Sequence, residues 1–373
     1  MSAPETPPGG AAPLATPPAP ALQIEAVTFR WDLDKTYLRT EFESLRKMVR
    51  IPFEAGADKV HLPGVPQLIQ GLRRCASERG ERPFVFFLSA SPPQIGAAIR
   101  EKLALDGIEY DGLTFKDQLR NLVRGHWRSL REQVGYKLGE LLRARAAGPA
   151  ATREVLFGDD WESDPLIYTL YADVLAGTLD DDILARILEA VGVQRRDVEG
   201  IQTAARLVHG TAPGGVARIY INLERRTPPS QFQMFGARIV PTFNYLQAAA
   251  SLFEAGALDS AALVEVARAI VLGAGDSSHR LRNSIDDLTR RGHLRLATRD
   301  RIVRMLAKHD LTSLARDEAA LRSRLRAALE RFRRRRRDRR PLAGPDYERV
   351  LASVGGKPRE AEKTSSDEAA PPG

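Results

Sequence analysis

Cysteine is almost absent from this sequence of 373 residues, in which Cys75 is the only one. A single thiol forms neither an intramolecular disulfide nor a thiolate metal cage, and we therefore expect a reducing compartment. Long apolar runs are missing as well, since no stretch approaches the roughly 18 residues that suggest a membrane-spanning helix. The Pro/Ala-rich start lacks the basic and apolar regions of a secretory signal. These absences predict a cytoplasmic protein.

Lysine is scarce too, with nine Lys against 47 Arg, and the basic charge is unevenly distributed. The segment RFRRRRRDRR, from Arg331 to Arg340, holds eight Arg and one Asp, a net charge of +7. Only +1 of the total charge of +8 is left for the other 363 residues. The segment 331–340 has three interpretations: a solvated helix end, a patch for anionic lipid that places the protein at a membrane surface, or a patch for nucleic acid.

The distribution of apolar residues predicts two organisations between disordered ends. Residues 1–21 are rich in Pro, Ala and Gly and have too few large apolar groups to offset ordering entropy, and 341–373 are mostly of the same kind. In residues 22–245 short apolar runs alternate with helical patterns, whereas 246–340 are helical and end in the Arg run. We predict an α/β protein with a doubly wound parallel sheet, a helical insertion at about 178–212 and a C-terminal helical appendage.

The predicted elements of the sheet region are short and regularly spaced. Strand-like runs are IEAVTFRW, FVFFLS, REVLFG and ARIYINL, and helix-like stretches are 65–74, 95–105, 136–145 and 165–175.

Polar side chains follow several of these runs at the point where each run ends. Ligands of open parallel sheets bind at the carboxyl ends of the strands, so we expect these residues to share one site. In chain order they are Asp32, Asp34 and Thr36 after the first run, Ser89 after FVFFL, Lys137 at a helix, and Asp159, Asp160 and Asp164 after REVLFG.

A cluster of carboxylates with one cation and one small hydroxyl suits phosphoryl transfer with Mg²⁺. This hard cation takes oxygen ligands, usually one or two carboxylates with water and phosphate oxygens. One carboxylate can attack phosphorus to give an aspartyl phosphate, and a second one two residues along can transfer the proton of the leaving alcohol. The hydroxyl and the ammonium can bind the phosphoryl oxygens. Taken singly, each residue also fits a turn or a helix cap, and their order along the chain favours the site.

The order of these residues also resembles a known superfamily. WDLDKT resembles the DxDxT motif of the haloacid-dehalogenase-like phosphatases, FFLS their second motif, GYKLGEL their third and GDDWESD their fourth. More narrowly, FLSASPPQ, DGLTFKDQ and FGDDWESDPLIY are similar to the phosphatidate phosphatase domain of the actin-patch-protein type. The resemblance covers about residues 24–222 and implies a Rossmann-like sheet of this superfamily.

The resemblance implies a role for each residue of the expected site. Asp32 would be the nucleophile and a Mg²⁺ ligand, and Asp34 the general acid/base with its backbone carbonyl on the metal. The phosphate would be bound by Thr36, Ser89 and Lys137, and the metal site completed by Asp159 and Asp164, with Asp160 as the alternative. Lys35 departs from the pattern, which usually has Gly or Asp there.

The sequence therefore predicts a Mg²⁺-dependent phosphomonoester hydrolase whose substrate could be phosphatidate. The short spacings leave no room for a large cap domain unless the inserted or C-terminal helices close over the site, which favours a bulky or membrane-borne ester. Two alternatives stay open: a phosphatase of the same superfamily for a soluble or nucleic-acid-end phosphate ester, and a non-catalytic scaffold that holds anionic partners through the Arg run.

Overall fold

The computed structural model describes most of the sheet region and the helices that follow it. The described residues are 26–38, 61–89, 95–115, 130–148, 152–161, 163–210, 215–274, 278–312 and 344–355. Residues 1–21 and the Arg run at 331–340 lie outside them, so the predictions made for those segments stay predictions.

A six-stranded, all-parallel sheet forms the centre of the protein. Its strands are β1 (Ala26–Asp32), β2 (Arg82–Ser89), β3 (Gly112–Phe115), β4 (Thr152–Asp159), β5 (Val216–Asn222) and β6 (Ile239–Thr242). Their order is β3-β2-β1-β4-β5-β6. Strands β1 to β3 follow one another in one direction across the sheet and β4 to β6 in the other, so the topological switch point lies between the neighbouring strands β1 and β4. Every residue of β1 is buried, as expected for a parallel strand covered on both faces. The predicted fold class, a doubly wound α/β sheet, is confirmed.

One side of the sheet carries two helices that precede β3 and four that follow β6. These helices are α1 (Val65–Glu78), α2 (Gly96–Leu105), α7 (Tyr245–Glu254), α8 (Ser260–Ala274), α9 (Ser278–Arg291) and α10 (Leu296–Lys308). They share one hydrophobic core with residues of β1, β2 and β4. The predicted C-terminal appendage is thus helical over its described part: α7 packs against β6, and α8, α9 and α10 pack against other helices of this core.

The opposite side carries the helices from the middle of the chain together with the last described helix. They are α3 (Leu130–Ala147), α4 (Asp164–Ala176), α5 (Asp181–Ala190), α6 (Arg195–Val208) and α11 (Tyr347–Gly355), with a 3₁₀ helix at Pro229–Phe235. The predicted insertion corresponds to α5 and α6, which pack into the second core with α3 and α4. None of the described helices is both long enough and apolar enough to cross a membrane.

Three elements differ from the sequence-based expectation. The strands β3 and β6 were not predicted, because four residues with a Gly or a Pro among them give too short a pattern. Helix α11 lies within 341–373, the stretch predicted to be mostly disordered. It packs through the fully buried Val350, and Tyr347 Oη donates a hydrogen bond of 2.6 Å to Asp173 on α4. A nine-residue helix between polar segments gives little periodic signal.

Candidate active site

Three carboxylates converge where the two central strands end. Asp32 is the last residue of β1, Asp159 the last of β4, and Asp164 the first of α4. All three are buried, and one oxygen from each lies within 4.8 Å of the others. The turn between β4 and α4 is what brings the third carboxylate back, with Pro165 in the first helical turn. The structure thus brings together three residues predicted to bind metal.

Gly158 makes the approach of Asp164 possible. A Cβ atom at position 158 would lie 2.5 Å from Asp164 Oδ2, 2.7 Å from Asp164 Cβ and 2.8 Å from Tyr168 Cε2, all impossibly close. Without a side chain there, Asp164 reaches the strand end, and its Oδ2 accepts a hydrogen bond of 3.3 Å from the backbone N–H of Asp159. The glycine is therefore a requirement of the site that the sequence pattern alone does not reveal.

Lys137 supplies a buried cation to this cluster. It lies on α3, and its Nζ donates hydrogen bonds of 2.7 Å to Asp32 Oδ1 and 2.7 Å to Asp164 Oδ1. The side chains of all three residues are fully buried. One ammonium among three carboxylates leaves the group with a formal charge of −2, which costs free energy in a buried place unless a further cation offsets it.

Asp34 and Ser89 form a second pair beside the cluster. Ser89, the last residue of β2, donates a hydrogen bond of 2.9 Å from Oγ to Asp34 Oδ2. The carboxylate of Asp34 does not belong to the group of three. The hydroxyl predicted to bind phosphate therefore holds the carboxylate predicted to move the proton. Thr36, also predicted to bind phosphate, is fully buried, and its Oγ1 has no hydrogen-bond partner among the described residues.

A tight turn places Asp34 and Thr36. Lys35 adopts a left-handed conformation with φ of 60°, and its N–H bonds the carbonyl of Leu38 at 2.9 Å. Such a φ suits Gly or Asp better than Lys, which gives a physical reason for the residues usual at this motif position. From the other side, Tyr245 Oη on α7 donates a hydrogen bond of 2.5 Å to the carbonyl of Thr36. The turn that carries Asp34 and Thr36 is thus held by a C-terminal helix.

Asp160 points away from the three carboxylates. Its Oδ1 accepts a hydrogen bond of 2.8 Å from the backbone N–H of Arg225, and its Oδ2 one of 3.0 Å from that of Thr227. Asp160 therefore fastens the loop after β5 to the end of β4. This geometry distinguishes Asp160, which holds a loop, from Asp159, which belongs to the carboxylate cluster. The sequence alone does not distinguish the two residues.

Two tyrosines that the sequence did not predict as site residues, Tyr168 and Tyr245, lie beside the site. Tyr168 on α4 donates a hydrogen bond of 3.2 Å to the carbonyl of Phe157, and Tyr245 bonds Thr36 as described above. Burial, and then the negative charge of Asp164 for Tyr168 and of Asp159 for Tyr245, raises the pKa of both phenols well above the usual value. Both therefore stay neutral hydrogen-bond donors. Tyr168 follows Asp164 by one helical turn, whereas nothing local in the sequence marks Tyr245.

A buried ion network lies beneath the site and ties α3 to the sheet. Glu154 on β4 accepts hydrogen bonds of 2.7 Å from Arg30 Nε on β1 and 3.1 Å from Arg145 Nη1 on α3. Tyr171 Oη donates a third one of 2.9 Å. Burial alone would lower the pKa of Arg30, but the ion pair with Glu154 outweighs it and raises that pKa. Since Lys137 lies on the same helix as Arg145, this network helps to fix the ammonium that reaches Asp32.

Comparison with known proteins gives one match, and it coincides with this site. Residues 31–180 match the family model described as phosphatidate phosphatase APP1, catalytic domain. No curated protein and no solved structure matched the chain. The matched segment covers less than half of the chain but contains every residue of the expected site, from Asp32 to Asp164. Residues 31–180 therefore resemble the catalytic domain of the phosphatidate phosphatase APP1 family, and the protein is a phosphatase.

Proposed function

We propose that the protein is a Mg²⁺-dependent phosphatidate phosphatase of the haloacid-dehalogenase-like type, which removes the phosphate through an aspartyl-phosphate intermediate. The observation that carries this proposal is the convergence of Asp32, Asp159 and Asp164 with Lys137 at the carboxyl edge of the two central strands. The family match adds the substrate class, a phosphate monoester of a diacylglycerol.

The residues present fit a hard divalent cation. All of the converging ligand atoms are carboxylate oxygens, the type that Mg²⁺ prefers, and their excess negative charge needs a cation. The space left by the missing side chain of Gly158 lets Asp164 join them. Asp32, Asp159 and Asp164 would hold the metal, with the backbone carbonyl of Asp34 as a fourth ligand. Bound there, Mg²⁺ would polarise the phosphoryl group and offset its charge.

The reaction is divided between two carboxylates. A carboxylate oxygen of Asp32 attacks phosphorus, the bond from phosphorus to the ester oxygen breaks, and Asp34 gives its proton to the leaving alcohol oxygen. In the second step Asp34 takes a proton from water. The resulting hydroxide attacks phosphorus, and the bond to Asp32 breaks to release phosphate and restore the carboxylate.

Three other side chains bind and orient the phosphate. Lys137 Nζ donates a hydrogen bond to Asp32 Oδ1, so it is close enough to the nucleophile to donate a second hydrogen bond to an oxygen of the incoming phosphoryl group. Ser89 Oγ, which donates a hydrogen bond to Asp34, can donate a hydrogen bond to the phosphoryl group instead when substrate is bound. The hydroxyl of Thr36 lies in the same turn as Asp34, and it too is proposed as a donor to the phosphate.

The decisive experiment measures phosphate release from a panel of substrates with Mg²⁺ and with excess chelator. The panel contains phosphatidate in mixed micelles, a sugar phosphate and an oligonucleotide with a terminal phosphate. We expect phosphatidate to be hydrolysed fastest and chelator to stop the reaction. Faster hydrolysis of the sugar phosphate or the oligonucleotide would replace the proposed substrate, and full activity in chelator would contradict the metal.

The intermediate has its own test with the Asp32→Asn variant. The amide has nearly the same volume as the carboxylate but cannot attack phosphorus, so we expect turnover to vanish while the circular dichroism spectrum is retained. After acid quenching of a reaction with radiolabelled phosphatidate, the wild-type chain should carry covalent label and the variant none. A folded Asp32→Asn protein that still hydrolyses phosphatidate would contradict the mechanism.

A further inference from the structure

Two exposed aromatic side chains stand on the edge of the sheet that holds the site. Trp161 follows the end of β4 and is 40% exposed, and Phe243 follows the end of β6 and is 44% exposed. Carboxyl ends of parallel strands lie at one edge, so both rings lie on the edge that carries the carboxylate cluster, on its β4–β6 side. Trp161 is also bonded into the site, since its backbone N–H donates a hydrogen bond of 2.5 Å to Asp159 Oδ1.

Cationic side chains lie against these rings. Lys35 Nζ is 3.4 Å from the ring centroid of Trp161, and Arg225 Cζ is 4.7 Å from it. Arg226 is exposed beside Arg225. At the other ring, Arg291 Cζ lies 5.4 Å from the centroid of Phe243. One exposed carboxylate of the same loop, Glu224, accepts a hydrogen bond of 3.1 Å from the side chain of Asn222. We call Lys35, Trp161, Arg225, Arg226 and Phe243 the aromatic rim.

The backbone that presents these cations is strained. Of the three non-glycine residues with positive φ in the described part of the chain, two are Lys35 at 60° and Arg226 at 57°. Left-handed φ in long side chains is costly and concentrates at functional positions. In addition, Asp160 uses both carboxylate oxygens to hold the backbone of Arg225 and Thr227. A buried acid thus fixes the backbone on both sides of Arg226, and Lys35 and Arg226 each lie at a strained position of a turn.

We propose that the aromatic rim is a docking surface for an anionic phospholipid bilayer. Trp161 would lie at the level of the headgroups, where an indole finds both apolar and polar surroundings, and the three cations would bind lipid phosphates. The inference rests on the proposed function, because it places the carboxylate cluster directly above phosphatidate in the membrane. The complementary signs of rim and lipid, and the exposed rings, select this partner.

The first test follows the fluorescence of Trp161 with vesicles that the protein cannot hydrolyse. The chain has three tryptophans, of which Trp31 is fully buried against Phe157 and Trp127 lies outside the described residues. In an Asp32→Asn, Trp127→Phe protein kept in chelator, the exposed reporter is then Trp161. Phosphatidylcholine vesicles with phosphatidate and brominated acyl chains should quench its emission. Addition of Trp161→Phe should abolish that quenching.

The second test measures cosedimentation with the same vesicles, without bromine, for matched charge variants. Arg225→Gln should weaken partitioning about fivefold, the effect of one basic residue near an anionic surface. Trp161→Ala should weaken it roughly tenfold because apolar area is lost from the interface. The control is Arg82→Gln, which removes an arginine that also lies on a ring, 4.7 Å from that of Phe84, but at the amino end of β2. It should bind like the wild type.

Several results would overturn the proposal. One is that Trp161 emission is not quenched although the protein sediments with the vesicles. Another is that Arg225→Gln and Arg82→Gln reduce the bound fraction equally. The last two are that the protein binds equally to vesicles of phosphatidylcholine alone, or that it does not bind to vesicles at all. None of these measurements depends on turnover. A protein that hydrolyses phosphatidate but shows one of these results therefore refutes only the docking surface. A protein that docks as described but releases no phosphate refutes only the proposed activity.

Discussion

Replacement of Gly158 by alanine tests whether the close approach of Asp164 to the strand end matters for both stability and metal binding. The added methyl group would lie less than 3.0 Å from Asp164 Oδ2, Asp164 Cβ and Tyr168 Cε2. Asp164 is the first residue of α4 and its carboxylate is buried, so relief requires a shift of the helix start or of the carboxylate. Either movement takes Asp164 away from Asp32 and Asp159.

The expected size follows from these contacts. Overpacking a tightly filled site costs about 1–3 kcal/mol, and we expect the free energy of unfolding to fall by that amount in chelator. Misplacement of one metal ligand should also raise the Mg²⁺ concentration for half-maximal activity by about 10–100-fold. The two effects have one cause and should appear together.

Two glycine variants serve as controls in urea denaturation and in Mg²⁺ titration of phosphate release. Gly112→Ala places its Cβ 2.7 Å from Phe86 Cδ1, outside the cluster, so it should lose stability with an unchanged Mg²⁺ requirement. Gly200→Ala on α6 meets nothing within 4 Å and should stabilise the helix by about 0.5–1 kcal/mol. If Gly158→Ala unfolds and responds to Mg²⁺ like the wild type, the argument for a crowded metal site is wrong.

The other predictions concern charges at the site. Asp159→Asn should strongly raise the Mg²⁺ concentration needed for activity. Asp160→Asn should mainly lower the free energy of unfolding, since the Asp160 carboxylate accepts hydrogen bonds from the loop after β5. Equal effects of the two variants in the Mg²⁺ titration would contradict the assignment of Asp159 as the metal ligand. Lys137→Met should lower the free energy of unfolding in chelator by about 3–5 kcal/mol, because buried carboxylates lose their cation, and Mg²⁺ should restore part of it. An unchanged urea midpoint would refute that reasoning. Ca²⁺ in place of Mg²⁺ should inhibit phosphate release, because its looser and higher coordination misplaces the reacting groups, and equal rates with both ions would count against a Mg²⁺ site.

Much of the sheet was predictable because its central strands are long, apolar and regularly spaced. The runs around Phe29 and Phe157 are buried on both faces, whereas the run around Phe87 is fully buried on one face and carries the half-buried Phe84 and Phe86 on the other. All three runs are therefore rich in apolar residues. The edge strand β6 contains Pro241, which is tolerated at an edge but disrupts the pattern. The partner of the C-terminal helices was not predictable, since periodicity shows that a helix has an apolar face and not which surface covers it.

The candidate site was predictable only as far as strand ends mark it. Polar residues after apolar runs led to Asp32, Ser89 and Asp159, which the parallel topology does gather at one edge. Asp159 and Asp160 have the same chemistry at adjacent positions, and only the hydrogen bonds of the folded chain distinguish them. Tyr245 could not be found, because its bond to Thr36 joins positions 209 residues apart.

The shared core beneath α7–α10 has a consequence for where this enzyme begins and ends as a folding unit. The segment recognisable by sequence, 31–180, contains the site but lacks most of β1, as well as β5, which pairs with β4, and β6, which pairs with β5. It also lacks the four C-terminal helices, which share a hydrophobic core with the sheet. A fragment cut at those limits would expose β4 as an open edge and uncover the apolar surface that α7 buries, the conditions that promote aggregation. Expression and directed evolution should therefore work with about residues 22–355, and sequence variation in α7 or α8 can affect catalysis without any contact with substrate.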